Sequence, residues 1–228
     1  MEKFAVIVAG GKGVRMNSAI PKQFLPLLEK PVLYYSINAF INAFHDIHII
    51  LVLPEEQLSY AQMVLSCFDE RIDATIVTGG ETRYHSVQNG LKAIEKDAVI
   101  FVHDGVRPLL TTDLIRRCYK QALTRGSAVP AMRIAESVRM VNDADDSSEA
   151  IDRDLLCSIQ TPQTFRSDII LPAFKQPYHT AFTDEATVVE SNGMNVYLIE
   201  GERRNIKVTT PEDMIIAEAF LKTDNRDV

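Results

Sequence analysis

Residues 4–16 read FAVIVAGGKGVRM: an apolar run, three glycines within four positions (Gly10, Gly11 and Gly13), and two cations, Lys12 and Arg15, with Lys22 close behind. Glycine gives up more backbone freedom on folding than any other residue, so such a cluster marks a sharp turn or a close approach. Bare N–H groups at the end of a strand form a concavity for an anion. Cations on its rim neutralise a polyphosphate facing an anionic nucleophile, which is most of what phosphoryl and nucleotidyl transfer ask of a protein. The first 30 residues hold five Lys or Arg against two Glu, a net of +3 in a chain of net −7. The spacing excludes two familiar loops. A P-loop needs G-x-x-x-x-G-K-[ST], but Lys12 is followed by Gly13 and Val14. A dinucleotide loop needs G-x-G-x-x-G, and positions 14, 15 and 16 hold no glycine, which disfavours a dehydrogenase.

Gly79 and Gly80 are two more of only ten glycines in 228 residues, and Thr82, Arg83 and Ser86 follow them. An adjacent pair lets main-chain groups reach a ligand, while Thr82 or Ser86 can equally cap a following helix. Asp104 ends an apolar run and precedes Gly105. It reads as a carboxylate for a ribose hydroxyl, a polyol hydroxyl or metal-bound water, or as a turn aspartate bonded to its own backbone. His103 reads as packed in the strand end rather than catalytic. No His/Asp/Glu cage is visible, so no protein metal ligand is assigned. The residue types and spacing by themselves stop at a nucleotide.

The elements that must position these groups alternate. Short β-branched runs at Phe4–Ala9, His48–Leu53, Ile72–Val77, Ala98–His103 and Ala128–Met132 read as strands covered on both faces. Helical periodicity fills the gaps: Leu33, Tyr34, Ile37, Phe40, Ile41 and Phe44 share one face, and residues 55–68, 82–95 and 111–125 also suit helices. This predicts an α/β fold with a Rossmann-like, mostly parallel sheet flanked by helices. The pattern breaks at 134–157, where an alternating piece, the acidic tip Asn142–Glu149 and another short piece read as a β-arm projecting from the sheet. Helices near 167–175 and 183–192, a strand Asn195–Glu200 and a helix opening on Pro211 follow, with 223–228 as a frayed tail. No linker or repeat appears, so residues 1–228 read as one domain.

Composition sets the class. Hydrophobic residues make up 46% and charged residues 24%, an ordinary globular balance. Net −7 makes the chain a poor general binder of nucleic acid or anionic membrane, since both need a basic surface. No apolar run approaches the roughly 20 residues of a membrane helix, and the N-terminal run is too short for a signal peptide. Cys67, Cys118 and Cys157 are odd in number and far apart, and read as free thiols in a reducing cytoplasm.

Six segments in order carry a resemblance over nearly the whole chain: VAGGKGVRM (Val8–Met16) with PKQF (Pro21–Phe24), GGETRYHSV (Gly79–Val87), HDGVRP (His103–Pro108), QTPQTF (Gln160–Phe165), TDEA (Thr183–Ala186) and NIKVT (Asn205–Thr209). Together they resemble the polyol-phosphate cytidylyltransferases. The resemblance implies transfer of CMP from CTP to a polyol phosphate with release of pyrophosphate, using Mg²⁺ held mainly through the CTP phosphates. It favours 2-C-methyl-D-erythritol 4-phosphate over ribitol 5-phosphate as acceptor. It assigns Arg15 and Lys22 to transition-state stabilisation, and Arg153 and Lys207 to positioning the attacking phosphate. It places Ala9, Gly10, Gly11, Lys12, Gly13, Gly79, Gly80, Glu81, Arg83, Ser86 and Asp104 around the nucleotide. Asp104, Arg107, Ser137, Arg153 and Lys207 fall around the polyol phosphate. A phosphate oxygen is already an adequate nucleophile, which agrees with the lack of a Ser/His/Asp or Cys/His arrangement. In the family the 134–157 arm crosses to a second subunit, so a homodimer with shared active sites is expected. The chain departs from the usual pattern at Gly10 in the first loop, at Glu81 where Asp is common, and at Glu136-Ser137 where Asp-Thr is usual; Ser137 keeps the hydroxyl.

Overall fold

The computed structural model describes residues 1–11, 20–142 and 144–224. The chain opens with β1 (Glu2–Val8), a 3₁₀ turn at Lys22–Phe24, the short strands β2 (Pro26–Leu27) and β3 (Lys30–Pro31), and helix α1 (Val32–Ala43). Then come β4 (Ile47–Leu53), α2 (Leu58–Leu65), β5 (Ala74–Thr78), α3 (Arg83–Leu91), β6 (Ala98–Asp104), α4 (Thr112–Arg125) and β7 (Ser127–Arg133). The hairpin β8 (Val138–Asn142) and β9 (Ser147–Ile151) leads to β10 (Cys157–Ile159) and β11 (Gln163–Arg166). Helices α5 (Ser167–Ala173) and α6 (Glu185–Ser191), strand β12 (Leu198–Glu200) and helix α7 (Pro211–Asp224) complete it.

The main sheet runs β10-β7-β11-β6-β1-β4-β5, with β12 paired to β7. β1 lies between β4 and β6 and is parallel to both, and β5 and β12 extend the parallel character. β10 and β11 are the exceptions. β11 inserts antiparallel between β6 and β7, and β10 continues along the same edge of β7. The mostly parallel α/β reading therefore holds, with two strands, β10 and β11, reversed.

Burial follows the strand period of two. Ala5 and Ile7 of β1 pack with Leu33, Ile37, Phe40 and Leu114 on the face covered by α1, α2 and α4. Phe4, Val6 and Val8 pack with Val87, Leu91, Ile170 and Val189 on the face covered by α3, α5 and α6. Both faces are covered, as consecutive apolar residues in a parallel strand require. Each fully buried Leu, Ile or Phe contributes roughly 1.5–3 kcal/mol by removal from water, so Phe40, with Phe101 5.5 Å away on β6, anchors the first face. A third apolar group, Leu27, Val32, Val106, Leu109, Val208 and Ala217, seats α7 against the β2–β3 hairpin.

Element ends differ from the periodicity reading where side chains compete for backbone. The 55–68 helix opens as a 3₁₀ turn at Glu55–Gln57, and α2 ends at Leu65. Asp184 stays extended and caps α6, accepting from Thr187 N at 2.9 Å, so the helix begins at Glu185. α4 ends at Gly126, whose φ of 88° is the left-handed conformation glycine adopts without strain.

Candidate active site

A cleft of about 480 Å³ opens beyond the carboxyl ends of β1 and β6, where open α/β sheets place ligands. Its two glycine walls are glycine for different reasons. Among the described residues, a Cβ on Gly10 or Gly11 would meet no atom nearer than 3.8 Å, so none of them fills those positions. A Cβ on Gly80 would lie 2.5 Å from the Cβ of His85, and one on Gly79 would lie 3.1 Å from Ser86 Oγ. The second pair is dictated by the start of α3 folding back on it. Ser86 Oγ accepts from Gly80 N at 3.1 Å and donates to Thr82 O at 3.0 Å, while Thr82 caps α3. Gln23 Nε2 donates to Ala9 O and to Gln57 Oε1, both at 2.7 Å, and fixes the exit of β1.

Asp104 ends β6 and gathers three cations. Arg83 donates from Nη2 to Oδ1 at 3.1 Å, Lys207 Nζ reaches Oδ2 at 2.8 Å, and Arg107 Nε lies 3.8 Å from Oδ2. Burial alone would raise the Asp104 carboxyl; Arg83, Lys207 and Arg107 outweigh it and hold the group well below the usual carboxylate range. Arg83 is forked between two acids, because its guanidinium also donates to both carboxylate oxygens of Glu185. From below, Asp104 N donates to Thr161 Oγ1 at 3.1 Å. The same Thr161 hydroxyl lies 3.0 Å from His103 Nδ1 and bridges the two residues. Burial pushes the His103 imidazole down to about 3, so it stays neutral and structural.

The 205–209 segment is fastened at several points. Arg107 Nη1 donates to Asn205 O at 2.7 Å, Asn205 Nδ2 to Thr161 O at 2.9 Å, and Val208 N to Val106 O at 2.8 Å. Asp213 Oδ2 accepts from Thr209 N, Thr209 Oγ1 and Thr210 N at 2.7–2.8 Å. Lys22, only 8% exposed, donates from Nζ to Val208 O at 2.8 Å. Lys22 and Lys207 thus share one strip of backbone on the same wall.

Of the residues singled out from sequence, Ala9, Gly10, Gly11, Lys22, Gly80, Glu81, Arg83, Ser86, Asp104 and Lys207 line this cleft. Gly79 sits just behind the lining, and Arg107 lies beneath Asp104. Lys12, Gly13 and Arg15 lie outside the described residues. Ser137 and Arg153 are exposed on the arm and do not line the cleft of their own chain; Arg153 Nη1 donates to Ala135 O at 2.5 Å. Sequence reasoning named Thr82 only as a helix cap and missed Val8, Gln23, Val106 and Thr209 in the lining, and Glu185 and Thr161 behind it. Gln23, Thr161 and Glu185 stand inside quoted motifs, the one signal that could have found them. Among the described residues no three His, Cys, Asp or Glu are grouped to hold a metal, and no helix is long and apolar enough to cross a membrane.

The family model for 2-C-methyl-D-erythritol 4-phosphate cytidylyltransferase matches residues 4–223. A relative of that name from Bacteroides fragilis is 43% identical over 97% of this chain and 100% of its own, and one from Porphyromonas gingivalis is 42% identical over 96% and 98%. The crystal structure of 4-diphosphocytidyl-2C-methyl-D-erythritol synthase from Anaerococcus prevotii superposes with a TM-score of 0.82 at 27% identity, covering 97% of this chain and 96% of that one. The cytidylyltransferase from Thermus thermophilus gives 0.77 at 26%, covering 97% and 100%.

Proposed function

The chain belongs to the 2-C-methyl-D-erythritol 4-phosphate cytidylyltransferase family, and from that premise we propose how its cleft performs the reaction. The enzyme forms 4-diphosphocytidyl-2-C-methyl-D-erythritol from CTP in the methylerythritol phosphate route to isoprenoids. A phosphate oxygen of the acceptor bonds to the α-phosphorus of CTP. The bond from that phosphorus to the bridging oxygen breaks, and pyrophosphate leaves with the electron pair. The nucleophile is anionic, so this chain supplies positioning and cations rather than a base.

The observation that carries the reading is the set of cations around Asp104, facing glycine walls that leave room for a nucleotide. We place the triphosphate at Gly10 and Gly11, with Lys12, Gly13 and Arg15 beyond them, and the cytosine at Gly79, Gly80, Glu81 and Ser86. Lys22 meets the α-phosphate as its charge grows, and a cation there binds the transition state more tightly than the ground state. Lys207, with Arg107 behind Asp104, holds the acceptor phosphate, and Asp104 and Arg83 meet hydroxyl groups. A magnesium ion fits this cleft as an ion carried by the triphosphate. Asp104 and Glu81 are the carboxylates that line the cleft, and Asp104 is already shared among three cations. Asp104 would contact it, and the ion would supply charge neutralisation on the phosphate oxygens.

We read residues 1–228 as one nucleotidyltransferase domain with a dimerisation arm. Among the described residues β8 and β9 pair only with each other, from Val138 opposite Ile151 to Asn142 opposite Ser147, and expose Met140 and Val141. A lone two-stranded hairpin is marginal in water and leaves open edges, which a second copy across a two-fold axis would cover. That copy's cleft would then receive Ser137 and Arg153, making a homodimer with shared sites. The free cysteines Cys67, Cys118 and Cys157 fit a cytoplasmic enzyme.

The test is pyrophosphate release with CTP against 2-C-methyl-D-erythritol 4-phosphate, ribitol 5-phosphate and erythritol 4-phosphate, then with ATP, GTP and UTP. The first acceptor with CTP should exceed every other pairing by at least about tenfold in kcat/KM, a difference one well-placed polar contact supplies. Preference for ribitol 5-phosphate would overturn the acceptor, and equal use of UTP would overturn the cytosine pocket. Light scattering that gives a fully active monomer would reject the dimer.

A further inference from the structure

Glu185 is 1% exposed at the first turn of α6 and does not line the cleft, so it cannot touch substrate. Its carboxylate nevertheless holds the Arg83 guanidinium, with Nη2 to Oε2 at 3.2 Å and Nη1 to Oε1 closer still. The same guanidinium reaches Asp104 from Nη2 at 3.1 Å and Nε at 3.3 Å, and Lys207 takes the other oxygen of Asp104 at 2.8 Å. Charges alternate along this line: Glu185, Arg83, Asp104, Lys207. Burying such a set is a poor way to gain stability, since well-packed apolar residues often serve as well or better. What it does is fix geometry. A planar fork gripped on one side by Glu185 has its other side, and therefore the Asp104 carboxylate plane, set in orientation.

We propose that Glu185 is a positioning residue, acting through Arg83 to orient Asp104 toward the substrates. This rests on the reading of Asp104 as a substrate-facing carboxylate. With Glu185 in place Arg83 keeps its hold on Asp104 when an incoming phosphate draws Lys207 away, and the carboxylate stays aligned.

The experiment is a double-mutant cycle on the full-length enzyme, using Glu185→Gln, Asp104→Asn and the pair, with steady-state kinetics and thermal melting. Glu185→Gln should lower kcat/KM about tenfold in the parent, within the span expected for coupled neighbours, and change it less than about twofold in the Asp104→Asn background. Glu185→Asp, which keeps the charge, should recover part of the loss and serves in its place if Glu185→Gln does not fold. An equal fold-loss in both backgrounds, with Asp104→Asn itself severe, would overturn this inference and leave the site reading standing. An unimpaired Glu185→Gln enzyme would overturn it too. An unimpaired Asp104→Asn enzyme would sink the site reading and this inference together.

Discussion

Lys207 Nζ sits 2.8 Å from Asp104 Oδ2, yet the Lys207 side chain keeps 43% of its surface exposed. Its partner is buried and shared with two arginines, so Asp104 stays compensated when Lys207 turns toward a phosphate. Lys207→Ala should therefore spare the fold and damage the reaction. We expect kcat/KM for the acceptor to fall at least about a hundredfold, the usual scale for losing one charge stabiliser. The thermal midpoint should shift by less than about 3 °C, as for a half-exposed ion pair in a chain of this size. A large loss of stability with normal turnover in the folded enzyme would reverse the assignment.

Lys22 tests the other side of the reaction. Its ammonium is tied to Val208 O at 2.8 Å and nearly buried, so it is held in place before CTP arrives. Lys22→Ala should lower turnover at saturating CTP by at least about a hundredfold, because the lost charge acts on the transition state more than on the ground state. Near-normal kcat with only KM raised would show uniform binding and reject the catalytic role.

The two glycine walls should respond differently to the same added methyl group. At Gly10 the nearest atom among the described residues, Pro54 Cγ, is 3.8 Å away, so Gly10→Ala should leave the free protein as stable as before. It places a side chain where the triphosphate is proposed to lie, and KM for CTP should rise about tenfold, the cost of one blocked backbone contact. Gly80→Ala drives a Cβ to within 2.5 Å of His85 Cβ, so α3 must move, and the overpacked site should cost about 1–3 kcal/mol in urea unfolding. Equal stability loss at both positions would remove the distinction.

These contrasts also show how far the chain could be read before its structure. Strands β1, β4 and β6 were legible because covered parallel strands are apolar on consecutive residues, and each ends near its expected place. β11 was not, because Gln163–Arg166 carries no strand-like apolar run and its slot between β6 and β7 is set by long-range pairing. In the site, Lys22, Asp104 and Lys207 could be named as residues, but their convergence depends on long-range contacts, one of them spanning 186 positions. Glu185 was invisible as a buried acid. An acidic residue at a helix start reads as an exposed partner of the helix dipole, and it is Arg83, 102 positions away, that pairs with it in the buried state. Ser137 and Arg153 do not line this cleft of their own chain, so their expected role there has no counterpart among the contacts of a single chain's described residues.

That last point yields the sharpest test of assembly. If the arm delivers Arg153 to a neighbouring subunit's cleft, a site needs Lys22 from one chain and Arg153 from the other. Lys22→Ala and Arg153→Ala enzymes should each be nearly inactive alone. Co-folded from an equimolar mixture of unfolded chains, about half of the subunits pair as heterodimers by random association. Each heterodimer then holds one site with both residues intact and one site lacking both. Activity should therefore recover to about a quarter of the parent enzyme per subunit, given two-fold closure of the dimer. Mixing the folded proteins and assaying at once should restore far less than co-folding, since exchange must precede recovery. A site built wholly within one chain has no intact copy in the mixture, and absence of recovery in co-folded material of confirmed dimeric size would reject the shared site.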